Sequence, residues 1–254
     1  MLAREAPPDA FGNTAREYEL GRPEWPEELI DRMARELGLT GEATVLDLGA
    51  GTGKLTRALV PRFARVVAVE PDATMRQVLA EVVPDVVLLA GSAEAIPLEP
   101  GSVDAVFLAE AFHWFASDET VAEIARVLRP GGGLALLWNV EFENMEPTPG
   151  DDAEAVLDEA FARGGKPGLP RVLSGTWREP IERSPFGPLQ QAEVDREVTN
   201  DRERWIARML SVSSIASQSA EERLALATRL RELVPDGDYR WRIRTVAYWT
   251  RLGG

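Results

Sequence analysis

The sequence predicts an α/β fold around a mostly parallel sheet, on three observations. Short apolar, β-branched runs alternate with stretches of helical periodicity over the first 140 residues, the pattern of βαβ units with right-handed crossovers. The run Val45-Leu46-Asp47-Leu48 leads straight into Gly49-Ala50-Gly51-Thr52-Gly53, and Lys54-Leu55-Thr56 then opens a helix. A second run, Val66-Val67-Ala68-Val69, ends in Glu70.

In chain order, residues 10–40 read as helical, with Leu29, Ile30, Met33 and Leu37 at helical spacing. Strands are expected near 44–48, 66–70, 86–90, 103–108 and 133–138, and helices near 54–63, 73–81 and 117–128. Residues 140–162 hold eight acids, no Lys or Arg, and two prolines, Pro147 and Pro149. They read as an exposed loop leading into a solvated helix near 151–163. Gly164-Gly165-Lys166-Pro167-Gly168 then breaks the chain. A strand near 189–196, an amphipathic helix near 219–234 carrying Leu224, Leu226, Ala227, Leu230 and Leu233, and a strand near 241–249 complete the expected elements. No internal repeat is present.

The glycine-rich turn points to a ligand. Glycines let the backbone turn sharply and approach a bound molecule closely, and the next helix offers unsatisfied N–H groups. A P-loop is excluded by register, since Leu48 stands five positions before Gly53 and Leu55 follows Lys54. A dinucleotide fingerprint counted from Gly49 places Lys54 where a small residue is required. The pattern is Asp-x-Gly-x-Gly-x-Gly, with Asp47 at the strand end. That acid suits a ligand carrying an ammonium or hydroxyls; the alternative is a tight turn whose glycines serve packing only.

Glu70, with Pro71 beside it, stands where the second strand of a βαβ unit presents a carboxylate to a ribose diol. Two adjacent hydroxyls can donate to the two oxygens of one carboxylate. The alternative is a cap for the following helix, a role open to Asp72.

With these motifs the chain resembles the class I S-adenosylmethionine-dependent methyltransferases. Gly91-Ser92-Ala93-Glu94-Ala95-Ile96-Pro97 resembles the adenine-side segment, Ser102–Phe107 the fourth strand, and Leu128-Arg129-Pro130-Gly131-Gly132-Gly133 with Leu134–Asn139 the turn and fifth strand. Phe11, Tyr18, Arg22-Pro23 and Ala111-Phe112-His113-Trp114-Phe115 are similar to a microbial small-molecule subgroup related to trans-aconitate methyltransferase. The resemblance covers roughly residues 10–140. It implies a Rossmann-like, doubly wound, seven-stranded sheet whose last strand is antiparallel. It also implies one methyltransferase domain in three parts: a helical segment over the cofactor (1–40), a binding core (41–140) and the rest of the sheet (141–254). Insertions at 140–188 and 198–234 are expected to form a substrate lid.

The expected cofactor residues are Asp47, Gly49, Ala50, Gly51, Gly53, Glu70 and Pro71, with Ala93 and Glu94 at adenine and Glu110 near the methionine end. The subgroup commonly has a neutral residue at the position of Glu110. Tyr18 and Arg22 belong to the covering segment; Arg22 either pairs with a cofactor or substrate carboxylate or is a surface guanidinium beside Pro23. Phe112, Trp114 and Phe115 are expected to shape the substrate pocket. Because methyl transfer from a sulfonium mainly requires alignment at ~3–3.5 Å, a carboxylate acceptor needs no base, whereas a phenol, amine or carbon acid profits from one. His113, the only histidine, is either that base or a packing and orienting residue.

Composition narrows the alternatives. Without cysteine and with one histidine, disulfides, thiolate chemistry and a His-based metal centre are not expected. No apolar run approaches the ~20 residues of a membrane span, the first residues are no signal peptide, and a cytoplasmic protein is expected. The net charge of −14 argues against nucleic-acid or anionic-lipid partners. Residues 201–254 are nevertheless net +3, and Arg240, Arg242 and Arg244 alternate along one strand face, read as a solvated or edge-protecting face rather than a substrate site. Small-molecule methylation is the expected function. A non-catalytic S-adenosylmethionine-binding protein and a nicotinamide oxidoreductase are the alternatives, and monomer or homodimer stays open.

Overall fold

The computed structural model describes residues 14–164 and 169–253. Seven strands, β1 (Thr44–Leu48), β2 (Arg65–Val69), β3 (Val87–Leu89), β4 (Val103–Ala109), β5 (Leu128–Glu146), β6 (Gln190–Asp201) and β7 (Asp238–Arg251), form one sheet. Their order is β3-β2-β1-β4-β5-β7-β6. The first five pair in parallel, and β7 runs antiparallel to both β5 and β6, the expected doubly wound arrangement with a reversed last strand. Strand order reverses between β1 and β4, the crevice where open α/β sheets bind ligands.

Side-chain alternation sorts the core onto two faces. Val45, Ala105 and Phe107 pack with α2 (Glu27–Glu36) and α3 (Lys54–Leu59), while Leu46, Leu48, Val106 and Leu108 pack with α5 (Asp118–Val127). Both faces are covered, which is why these strands read as continuous apolar runs. α4 (Ala73–Val82) closes a smaller cluster around Ala50 and Ala68.

The N-terminal helical stretch is two helices, α1 (Ala15–Gly21) and α2, parted at Pro23 and Pro26, which cannot continue a helix. Phe11 lies outside the described residues, as does most of the expected break at 164–168. The segment after residue 139 is also corrected: β5 runs on to Glu146 instead of giving way to a loop. There Arg244 stands opposite Glu141 and Asp195, Arg242 opposite Glu143 and Glu197, and Arg240 opposite Glu146 and Thr199. Arg244 grips Asp195 with two bonds of 2.7 and 2.9 Å. The alternating arginines thus stand in the strand between two acid-bearing strands, and Arg244 pairs across to β6.

The helix following β5, α6 (Asp151–Gly164), is half-buried rather than solvated. Ala153, Val156, Leu157 and Ala160 pack with α9 (Arg202–Leu210), α10 (Ser213–Ala216), α11 (Ala220–Leu233) and the start of β7. Of the residues expected on the buried face of α11, Leu226, Ala227 and Leu230 are buried, but Leu224 is 67% exposed. Two short helices, α7 (Leu169–Ser174) and α8 (Glu179–Glu182), and the 3-10 turn Thr176–Arg178 between them bring Val172, Ile181 and Trp177 onto the α5 face.

Gly53, at φ +89° before α3, leaves no room for a side chain: a Cβ there would sit 2.9 Å from Leu79 Cγ. Gly53→Ala is expected to destabilise the fold by about 1–3 kcal/mol through strain and overlap, read as a lowered urea midpoint.

Candidate functional site

A cavity of about 560 Å³ opens at the carboxyl ends of β1, β2 and β4, within the size range of small-molecule sites. Its floor is the glycine turn bonded to the end of β2. The N–H groups of Gly49 and Ala50 donate to the Val69 carbonyl at 2.9 and 3.1 Å. The Gly51 N–H donates to Glu70 Oε2 at 2.9 Å, and the Asp72 N–H to Oε1 at 2.9 Å. Asp72 caps α4 by accepting from the Thr74 and Met75 N–H groups. Glu70 is thus spared the capping role and lines the cavity with Pro71. Each of its oxygens accepts one backbone N–H and keeps acceptor capacity. Burial pushes its carboxyl above the usual range.

Gly49 and Gly51 line the cavity, and a Cβ on Gly51 would meet nothing within 4 Å, so the chain lies open to a close-approaching ligand there. Ala93 and Glu94 follow along the wall beside Gly91 and Ser92. Asp47, Ala50 and Gly53, expected at the cofactor, sit beneath the turn instead of on the wall. Asp47 is 1% exposed and accepts from the Thr56 hydroxyl at 2.6 Å. Its Oδ1 is buried without a hydrogen-bond partner, and burial pushes its pKa to about 7. Ala50 and Gly53 pack toward Leu79.

Glu110 holds the far wall at φ +54°. Its N–H donates to the Leu137 carbonyl and its Oε1 accepts from the Asn139 N–H at 2.9 Å, tying the end of β4 to β5. Burial raises its carboxyl, opposed by the guanidinia of Arg22 and Arg208. Tyr18 and Arg22 reach the cavity from α1. Arg22 lies 5.2 Å from the Tyr18 ring centroid and donates to the Ser211 hydroxyl and carbonyl at 3.0 and 2.9 Å, which excludes the surface-guanidinium reading. Burial pushes the Tyr18 hydroxyl up to about 12.

Sequence reasoning missed Arg208, Met209, Val212, Ser213, Phe161, Val172 and Asn139, all on the cavity wall. Arg208 lies 5.1 Å from the Trp241 ring centroid, and burial together with Arg22 lowers its pKa to about 9. The signal available was an arginine inside a buried helix face, between Trp205-Ile206-Ala207 and Met209-Leu210. Among the described residues, no group of three or more His, Cys, Asp or Glu is placed to hold a metal ion.

The segment after β4 forms a 3-10 turn, Phe112–Trp114. Trp114 and Phe115 line the cavity, whereas Phe112 is fully buried, edge-on to Phe115 and Trp177; it supports the pocket from the core. The base reading of His113 meets a structural obstacle. Trp138 donates its indole N–H to His113 Nδ1 at 3.0 Å, so the neutral ring carries its proton on Nε2. Burial lowers its pKa to about 4. The unfolded chain binds this proton below pH ~6.5, the folded one only near 4, so stability falls on acidification through that window. Between pH 7 and 5 wild type should lose about 1–2 kcal/mol more than His113→Gln, compared by urea midpoints.

A family model described as a methyltransferase domain matches residues 46–136, which contain the glycine turn, Glu70 and the end of β4. An uncharacterized methyltransferase of Mycobacterium tuberculosis is 40% identical over 225 residues, covering 89% of this chain and 85% of its own. The malonyl-[acyl-carrier protein] O-methyltransferase of Methylococcus capsulatus is 42% identical over 99 residues, 37% of this chain and 36% of its own. A solved structure assigned to a type II methyltransferase of Anaeromyxobacter dehalogenans has 26% identity and a TM-score of 0.64, covering 91% of this chain and 98% of its own. With a carboxylate at the end of β2 and an open glycine turn at the switch point, the chain belongs to the class I S-adenosylmethionine-dependent methyltransferases.

Proposed function

We propose that this chain methylates a small molecule whose acceptor is already ionised at neutral pH, a carboxylate oxygen before a phenol, as in the trans-aconitate-related subgroup it resembles. The carrying observation is His113, whose Nδ1 is engaged by Trp138, leaving the cavity without an imidazole base. Two guanidinia, Arg22 and Arg208, line the same cavity and suit an anion. The O-methyltransferase from Methylococcus, by its name, supports an oxygen acceptor.

Bound S-adenosylmethionine supplies an electrophilic methyl group on a sulfonium. Glu70 would hold its ribose hydroxyls, Gly49 and Gly51 would let it approach the turn, and Ala93 with Glu94 would meet the adenine. Glu110, Tyr18 and Arg22 would meet the zwitterionic methionine end, an acid for the ammonium and a guanidinium for the carboxylate. Asp47 fixes the turn from below. Phe161, Val172, Met209 and Val212 come from the helices after β5 and β6, which supports a lid that dries the site.

A methyl-transfer screen against organic acids, phenols and amines tests the proposal; turnover on acids is expected, and turnover on amines alone would refute it. Glu70→Ala should weaken S-adenosylhomocysteine binding by about 1–3 kcal/mol in calorimetry, because the diol loses its acceptor. Unchanged affinity would remove Glu70 from the site. The kcat/KM profile should show no His113 limb near neutrality; a limb lost in His113→Ala would restore the base and shift the acceptor to a weaker acid.

A further inference from the structure

The cavity wall built by the turn after β4 and by the helices after β5 and β6 is chemically uneven. Trp114, Phe115, Phe161, Val172, Met209 and Val212 make it mostly apolar. Against this surface stand two guanidinia, Arg22 and Arg208, and one carboxylate, Glu110. Glu110 lies within electrostatic reach of both guanidinia. Tyr18, beside Arg22, is within electrostatic reach of Glu70 on the cofactor floor. Arg208 is within electrostatic reach of Arg22 and Glu110.

We propose that Arg208 is a specificity-determining residue that selects an apolar-bodied carboxylic acid, its guanidinium taking the carboxylate while Trp114, Phe161, Met209 and Val212 cover the hydrocarbon part. This deepens, and rests on, the methyltransferase reading above. A zwitterionic methionine end is itself neutral, so one carboxylate against two guanidinia leaves this group of three wall charges net positive. Arg208 is held in place for that task. Its guanidinium lies over the Trp241 ring, 5.1 Å from the centroid, and its helix packs so closely on α1 that a Cβ on Gly21 would lie 2.1 Å from the Arg208 backbone nitrogen. A planar guanidinium fork matches a carboxylate in two parallel bonds. Burial beside Arg22 disfavours its charge, a cost that a bound anion offsets. The apolar wall rejects short, fully hydrated acids, because they bring no hydrocarbon surface to bury.

The test uses the full chain saturated with S-adenosylhomocysteine and titrates octanoate and phenylacetate against octanamide and phenylacetamide by calorimetry. The acids should bind about tenfold or more tightly than their amides, as expected for a charge-assisted contact. Arg208→Met should weaken the acids by about tenfold, leave the amides unchanged and keep S-adenosylhomocysteine within about twofold, with Arg208→Lys recovering part of the loss. Equal binding of acid and amide, or unchanged acid binding in Arg208→Met, overturns the proposal and leaves the methyltransferase reading standing. Wild type that does not bind S-adenosylhomocysteine overturns that reading itself. Should Arg208→Met not fold, the wild-type acid–amide comparison and Arg208→Lys decide.

Discussion

Three successive N–H groups of the glycine turn are engaged by the end of the neighbouring strand: Gly49 and Ala50 by the Val69 carbonyl, Gly51 by the Glu70 carboxylate. The β1–β2 side of the cavity depends on this seam. It fixes the turn in its left-handed conformation, holds Glu70 at the cavity wall and leaves the second Glu70 oxygen to bond the Asp72 N–H. It works because Asp72 caps α4 itself, so the carboxylate at the strand end is not drawn into helix capping. Below the turn, Asp47 and Thr56 join β1 to α3. The acid of the motif is therefore a support for the backbone that lines the cavity.

The opposite wall is made by a different device. α1 and α9 approach until Gly21 touches the Arg208 backbone, and Arg22 is tied to Ser211 just past α9. A segment from before the sheet and one inserted late in the chain are thereby fused into one wall. A second anchor ties α1 to the start of α3, where Glu19 accepts from the Thr52 hydroxyl and pairs with Arg57 and Lys54. The cavity is thus bounded by the binding core and by a wall joined to it through polar contacts. Chemistry resides in these grafted walls, since one fold hosts many activities.

The acid-rich stretch after residue 139 shows where a local reading fails and why. Eight acids without a cation suggest solvent, because nothing nearby in sequence neutralises them. Three of them, Glu141, Glu143 and Glu146, lie in β5 at positions opposite Arg244, Arg242 and Arg240, about a hundred residues away in sequence. The acids and the arginine row are each readable in the sequence, but which strand lies beside which is a property of register. Leu224 fails for a related reason: helical spacing marks a face, and which part of that face finds a partner is set by neighbouring helices.

The sequence by itself determined the sheet order's local ingredients, the glycine turn and the acid that ends β2 at the cavity, because each depends on contacts within about twenty residues of one βαβ unit; that Asp72 rather than Glu70 caps α4 came from the structure. Trp114 and Phe115 on the pocket were legible for the same reason, since they follow β4 directly. Tertiary structure alone decided that Phe112 turns into the core, that Asp47 lies beneath the turn and that Arg208 joins the cavity. It also decided the state of His113. That ring's acceptor nitrogen is set by Trp138 on the neighbouring strand, and its basicity by burial. Tautomer and pKa arise from what surrounds a group in three dimensions, and a chain read in one dimension carries the residue without its surroundings.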